Sequence, residues 1–220
     1  GFVTKLIKMI SFLLERIKFR IKLIILKFWV IEKVKTLEAD IYLTFDDGPD
    51  PLITEFILDI LDKYDAKATF FCIGEKVHEY PLLYRKIKER GHAIGNHTYS
   101  HLKGVDVRSQ DYVKDVSKCN DILHAKLFRP PFGSLKIMEL FLLKKHYDII
   151  KWSVDMQDYV KLEDVQTHVD KITKQISGGD IVLFHFSEEH SLNTLQLLPL
   201  FLSRLENKGF KYKSMNASVL

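Results

Sequence analysis

The sequence predicts an α/β fold on parallel strands, either a doubly wound sheet or a barrel. Three observations carry this. Short apolar runs of strand character, such as 41–45, 68–73 and 181–184, alternate with stretches of helical periodicity. After residue 37 no repeat, low-complexity tract or linker interrupts that alternation. Polar, chemistry-bearing residues cluster just after the strand-like runs, where parallel α/β folds gather their active sites. The 220 residues suffice for one domain with a full core, and 46% hydrophobic with 28% charged residues is a soluble globular composition.

Taken in order, residues 41–45 read as a buried strand. Pro51 suits the first turn of a helix and Asp50 its N-cap. Ile53, Phe56, Ile57, Ile60, Leu61 and Tyr64 mark one face of that helix. A strand at 68–73 and a helix at 81–90, stopped by Gly91, come next, then a short strand at 92–95 and a helix at 110–125. Residues 127–128 form a short strand, 135–145 a helix and 148–152 a strand. Helix 165–176 leads through Gly178-Gly179 into strand 181–184, and a last helix at 192–207 precedes Phe210 and Tyr212. Cys72 and Cys119 are too few for a disulfide framework and read as unpaired thiols.

Residues 1–37 are a separate stretch. Residues 1–35 hold nine Lys/Arg against two Glu, a net +7, which leaves 24 basic and 27 acidic residues, a net −3, on the rest. A mildly acidic body offers no clustered basic face, which excludes nucleic acid as a partner. The uncharged runs are far shorter than the ~18 residues that span a bilayer. The stretch does not read as a signal peptide either, for want of a clean apolar core and a small-residue cleavage site. Leu6, Ile10, Leu13, Ile17, Ile21, Ile24, Phe28 and Ile31 recur every three or four residues, as on one helix face, though Arg20 and Lys27 fall near that side, while 17–23 alternates as a strand would. Two readings follow. Residues 1–36 form a basic amphipathic helix on an anionic membrane surface, which favours the cell envelope or a membrane. Otherwise they pack on the domain and close one end of it, which leaves a cytoplasmic placement open.

Five polar clusters fall at strand ends: Asp46-Asp47, GNHTYSH (95–101), RPPFGS (129–134), WSVDMQDY (152–159) and His185. Adjacent carboxylates repel, and a cation resolves the repulsion: one carboxylate coordinates it while the other takes a proton from water. His97 and His101 are four apart, which on a helical turn puts both imidazoles on one face, a common grip on a metal. One Asp and two His with open positions suit a catalytic divalent ion, zinc first. Arg129 supplies a fixed positive charge, and Asp155 could orient it. His92, His124, His146, His168 and His190 lack such company and read as structural or exposed.

In this order, TFDDGP, HTYSH, RPPFG, WSVDMQD and LFH resemble the five motifs of the NodB-homology polysaccharide deacetylases, carbohydrate esterase family four. The resemblance runs from about residue 41 to residue 212 and does not reach residues 1–37. It implies a distorted (β/α) barrel of about seven parallel strands, with 1–37 as a basic amphipathic extension and 38–220 as the deacetylase domain. It also implies a zinc-type divalent ion and hydrolysis of N-acetyl groups on sugars, a reaction on carbon–nitrogen bonds other than peptide bonds that releases acetate. By the resemblance Asp46 is the catalytic base, and Asp47, His97 and His101 hold the metal. Arg129 tunes the base, Asp155 partners that arginine, and His185 is the catalytic acid. Leu183 lines the pocket for the acetyl methyl, and the Phe132 backbone N–H lies in the oxyanion site. Tyr159 stands where the family often has Trp and can still stack on a sugar. Phe186 stands where it often has Asp, which alters the groove lining.

The physical chemistry agrees with that assignment. An amide is a poor electrophile and water a poor nucleophile, so a metal, a base, an oxyanion donor and an acid for the leaving amine are each useful. The partner implied is an N-acetylated glycan, and peptidoglycan, chitin-like oligomers and exopolysaccharide fit alike. Three rivals are set beside this reading. An O-acetyl esterase on xylan or another acetylated glycan would use the same groups. A sugar-binding pseudoenzyme would have lost the base, a ligand or the acid, and all are present. A metal-dependent phosphoesterase would carry more phosphate-binding groups than Arg129.

Overall fold

The computed structural model describes residues 2–186 and 191–216. Helix α1 (Phe2–Trp29) runs into β1 (Val30–Ile31), and a loop leads to the long strand β2 (Asp40–Gly48). There follow α2 (Thr54–Lys63), β3 (Thr69–Cys72), α3 (Gly74–Glu79), α4 (Pro81–Glu89), β4 (Ala93–Asn96), α5 (Ser109–Leu123) and β5 (Leu127–Phe128). The chain ends with α6 (Ile137–Leu143), β6 (Asp148–Ile150), β7 (Val154–Asp155), α7 (Val165–Thr173), β8 (Ile181–His185), α8 (Ser191–Glu206) and β9 (Lys211–Lys213). The strands lie in the order β1-β6-β5-β4-β3-β2-β8-β7, with β9 also beside β2. Every ladder between them is parallel. The sheet curls into a distorted (β/α) barrel, as the sequence implies, but with eight strands along the curl rather than about seven. Of the eight, β1 and β7, two residues each, are the ones that do not stand out among the strand-like runs of the sequence.

β2 lies inside the sheet, between β3 and β8. Its flanks β3 and β8 cover both edges, and all its positions but Asp47 are buried. Phe45 stacks between Phe70 (5.1 Å) and Phe184 (5.2 Å). Phe186 leaves the groove altogether: it is 1% exposed, with its ring 5.7 Å from those of Phe45 and Phe70. Phe186 therefore brings neither a polar group nor its own ring to the groove, because an apolar ring after His185 gains more from the core than from the rim. The Asp50 carboxylate accepts from the Leu52 and Ile53 N–H groups at 2.8 and 3.2 Å, capping the turn that opens α2. Of the face expected there, Ile57 and Leu61 are buried but Phe56 is exposed.

Strand β1 pairs with β6, Val34 is 5% exposed, and the Val34 N–H donates to the Gly179 carbonyl at 2.9 Å. Residues 30–34 thus belong to the barrel, and the boundary expected at residue 37 moves back to the end of α1. The apolar period of α1 runs on unbroken into Ile31, which hides that boundary in the sequence. Trp29 packs on Phe141 of α6, ring centroids 5.9 Å apart. The described side chains of α1 before Trp29 are all exposed. No described helix is long and apolar enough to cross a membrane.

Cys72 and Cys119 are buried and unpaired, and burial pushes both thiols up. His92 is structural: its Nδ1 accepts from the Ala68 N–H, and burial pulls its pKa down to about 4, so the buried ring is neutral. His190 lies outside the described residues.

Candidate active site

Successive residues of a strand point to opposite faces, so Asp46 and Asp47 would diverge in a regular β2. They do not. The β2–β3 register shifts between Asp46 and Gly48, and Asp47 adopts a left-handed conformation (φ 71°) that Asp tolerates better than most residues. This bulge re-aims Asp47, and both carboxylates line one cleft of about 430 Å³ at the C-terminal ends of the strands.

His97 and His101 follow β4, but not on a helical turn. Thr98 and His101 are left-handed (φ 65° and 54°), and the loop is irregular. Asn96 Oδ1 accepts from the Thr98 N–H, and Asp115 of α5 accepts from the Tyr99 and Ser100 N–H groups and the Ser100 hydroxyl. The pinned loop, not a helical face, brings the rings within 5.2 Å. Ligand atoms of Asp47, His97 and His101 lie within 4.8 Å of one another. Their Nε2 atoms approach Asp47 Oδ1 to 3.3 Å (His97) and 3.0 Å (His101). His97 Nδ1 sits 2.7 Å from the Arg129 carbonyl, which only accepts, so Nδ1 carries the proton and Nε2 turns a lone pair to the cleft. Asp47 Oδ1 is buried and makes no hydrogen bond despite these approaches. Converging lone pairs around an orphaned carboxylate oxygen are what a divalent cation satisfies, and the donor set suits zinc.

Arg129, just after β5, is fully buried. One terminal nitrogen donates to the Thr44 hydroxyl and to Asp46 Oδ1, each at 2.7 Å, and the other to the Lys151 carbonyl at 2.8 Å. Its guanidinium lies 4.1 Å over the Phe71 ring. Gly95 makes room for that ring, since a Cβ there would sit 2.3 Å from it. Arg129 thus fixes the Asp46 carboxylate beside the three-residue cluster.

Asp155 does not partner Arg129, contrary to expectation. Its carboxylate accepts from the Gln157 N–H at 2.8 Å and the Tyr159 hydroxyl at 3.0 Å. The buried carboxylate of this segment is Asp158, and it holds His185. Asp158 Oδ1 lies 2.8 Å from His185 Nδ1, while Oδ2 accepts from the His185 N–H at 2.7 Å and from the Thr194 hydroxyl at 2.8 Å. His185 is in register with Asp46 across the β2–β8 ladder, so the two face the cleft side by side. Burial would lower the His185 pKa, but the hydrogen bond to Asp158 and the charges of Asp46, Asp158 and Asp47 outweigh it. The imidazole is pushed up to about 9 and is an imidazolium at neutral pH.

Leu183 is buried at the cleft floor. Phe132 is exposed and left-handed (φ 57°), with its ring 4.9 Å from His101. The Tyr159 ring stands edge-on to His185 at 5.4 Å. Trp152 completes the wall. Sequence reasoning missed Trp152, Asp158 and Thr194 as site residues. The first two lie inside the quoted cluster WSVDMQDY, whereas Thr194 carries no local signal.

Residues 33–146 match the model of the polysaccharide deacetylases. A peptidoglycan-N-acetylglucosamine deacetylase of Bacillus cereus is 33% identical over 196 residues, 86% of this chain and 92% of the relative. A chitooligosaccharide deacetylase of Azorhizobium caulinodans is 33% identical over 156 residues, 67% of this chain and 74% of the relative. A crystal structure of a peptidoglycan N-acetylglucosamine deacetylase in complex with 4-naphthalen-1-yl-N-oxidanyl-benzamide aligns with a TM-score of 0.82 at 30% identity, covering 87% of this chain and 92% of that one. Barrel, rim and relatives together define a hydrolase of carbon–nitrogen bonds other than peptide bonds. More particularly, the chain belongs to the NodB-homology polysaccharide deacetylases of carbohydrate esterase family four.

Proposed function

We propose that this chain removes the acetyl group from N-acetylated sugars of a glycan, with one zinc-type ion held by Asp47, His97 and His101. One observation carries the reading: the three converging ligands, the carboxylate of Asp46 and the imidazolium of His185 share a single cleft. Relatives named for peptidoglycan N-acetylglucosamine and for chitooligosaccharide support an N-acetylglucosamine-type substrate.

The ion, when bound, would polarise the acetyl carbonyl and acidify water. Asp46, held by Arg129, takes the proton of the attacking water as its oxygen bonds to the carbonyl carbon. The Phe132 N–H is the donor for the resulting oxyanion. Collapse breaks the C–N bond, and His185 gives the departing nitrogen its proton from Nε2, because Nδ1 is engaged by Asp158. Acetate and a free amine result. Leu183 meets the acetyl methyl, and the Phe132, Tyr159 and Trp152 rings flank the sugar. The preformed imidazolium supplies the proton that a leaving amine requires.

Elemental analysis and acetate release test this. Wild type should carry about one zinc per chain, as the one such three-residue site among the described residues allows, and His97→Ala little or none. Acetate should appear from peptidoglycan or N-acetylated chitin oligomers. Equal metal in both proteins removes the ligand assignment, and acetate from acetylated xylan alone removes the N-acetyl assignment.

A further inference from the structure

We propose that α1 lies on an anionic lipid surface and holds the barrel with its catalytic rim turned away from that surface. This goes beyond the reaction and does not depend on it. Residues 2–29 form one helix with seven Lys/Arg and one Glu. Ile10, Leu13, Leu14, Ile17, Ile24 and Phe28 fall on one stripe of it, and all are exposed. Lys5, Lys8, Arg16 and Lys18 are exposed around the rest of the circumference with Met9 and Phe12, and exposed Arg20 stands at the edge of the stripe. A helix whose described apolar side chains before Trp29 all stand exposed is poorly stable in water and needs a surface. It is not apolar enough to cross a membrane. Its charge decides among occupants. Two copies laid side by side bring their cations together, whereas an anionic lipid surface attracts every one of them and accepts the stripe between its headgroups.

The orientation follows from topology. β1 is parallel to β6, and every other ladder is parallel too, so α1 enters at the N-terminal ends of the strands. Asp46, Arg129 and His185 sit at the opposite ends. β2 alone has nine residues, about 30 Å of strand. A helix lying flat under the barrel therefore leaves the cleft open to a polymer in the aqueous phase, beyond the lipid.

The full chain is sedimented with vesicles of phosphatidylcholine and phosphatidylglycerol, and with phosphatidylcholine alone. Expected are pelleting with the anionic vesicles only, and a weakening at high salt that stops short of complete loss, because screening removes attraction between charges but not apolar insertion. Leu13→Glu with Ile17→Glu should cut binding by at least about tenfold, and Lys5→Gln with Lys8→Gln by about 30-fold. Neither pair touches the barrel, so both proteins should keep the wild-type melting temperature. Pelleting unaffected by either pair overturns the proposal, as does a wild-type dimer that ignores both vesicles.

Orientation is read from the only two tryptophans, Trp29 at the end of α1 and Trp152 in the cleft. With brominated lipid, Trp29 emission (read in Trp152→Phe) should be quenched more than Trp152 emission (read in Trp29→Phe). Equal quenching, or stronger quenching of Trp152, overturns the orientation.

Discussion

Asp46→Asn should lower acetate release by about 10²–10⁴-fold, the range a general base supplies. The reason is specific to the site. Asn keeps the shape of the side chain and one oxygen to accept from Arg129, but it cannot take the proton of the attacking water. The exchange also removes the negative charge opposite a fully buried guanidinium. Stability should therefore fall as well, by about 1–3 kcal/mol, because the retained oxygen keeps a hydrogen bond but not the charge. The zinc content should be unchanged, since Asp46 is not among the three converging ligands. Acetate release, melting temperature and metal content measured on one preparation separate these effects. A variant that releases acetate at the wild-type rate leaves Asp46 without a role as base, whatever its stability.

Much of this arrangement was legible in the sequence, for identifiable reasons. The runs that became β2, β3 and β8 are apolar on both faces, as strands in a covered parallel sheet must be. Asp46-Asp47 and the His97/His101 spacing stood out because neither serves packing. The means by which they converge did not stand out. A bulge at Asp47 and left-handed Thr98 and His101 do the aiming, and a linear chain carries no mark of them. β1 was hidden because the same apolar period serves α1 and then the strand. Helix α3, six residues at Gly74–Glu79, is too short to display a period.

Asp155 and Asp158 show the limit most clearly. Both acids lie in one motif, three residues apart, and either was chemically able to hold a partner. Left-handed Gln157 (φ 53°) turns the chain between them. Asp155 is left at the rim with Tyr159, and Asp158 is buried under His185. Only the course of the backbone decides which is which.

That course leads to the second large effect, on the acid. His185→Ala should lower acetate release from an N-acetyl amide by about 10²–10⁴-fold, and should slow an activated acetyl ester much less, because a good leaving group departs without a proton. Equal loss on both substrates would reduce His185 to a packing residue. Asp158→Asn separates its influence from the ring itself. In the wild type, His185 is pushed up to about 9 and stays protonated through neutral pH, so the rate should hold until the pH rises through that value. Without the Asp158 charge the imidazole titrates nearer its ordinary value of ~6.5, and the alkaline fall of the rate should move to lower pH. The sign for stability is the same. A folded-state pKa above the unfolded one stabilises the protein below the unfolded value, and that contribution disappears as the pH rises through about 9. Asp158→Asn should remove most of that slope. An alkaline limb in the variant that coincides with the wild type would mean that another group sets the protonation of the acid.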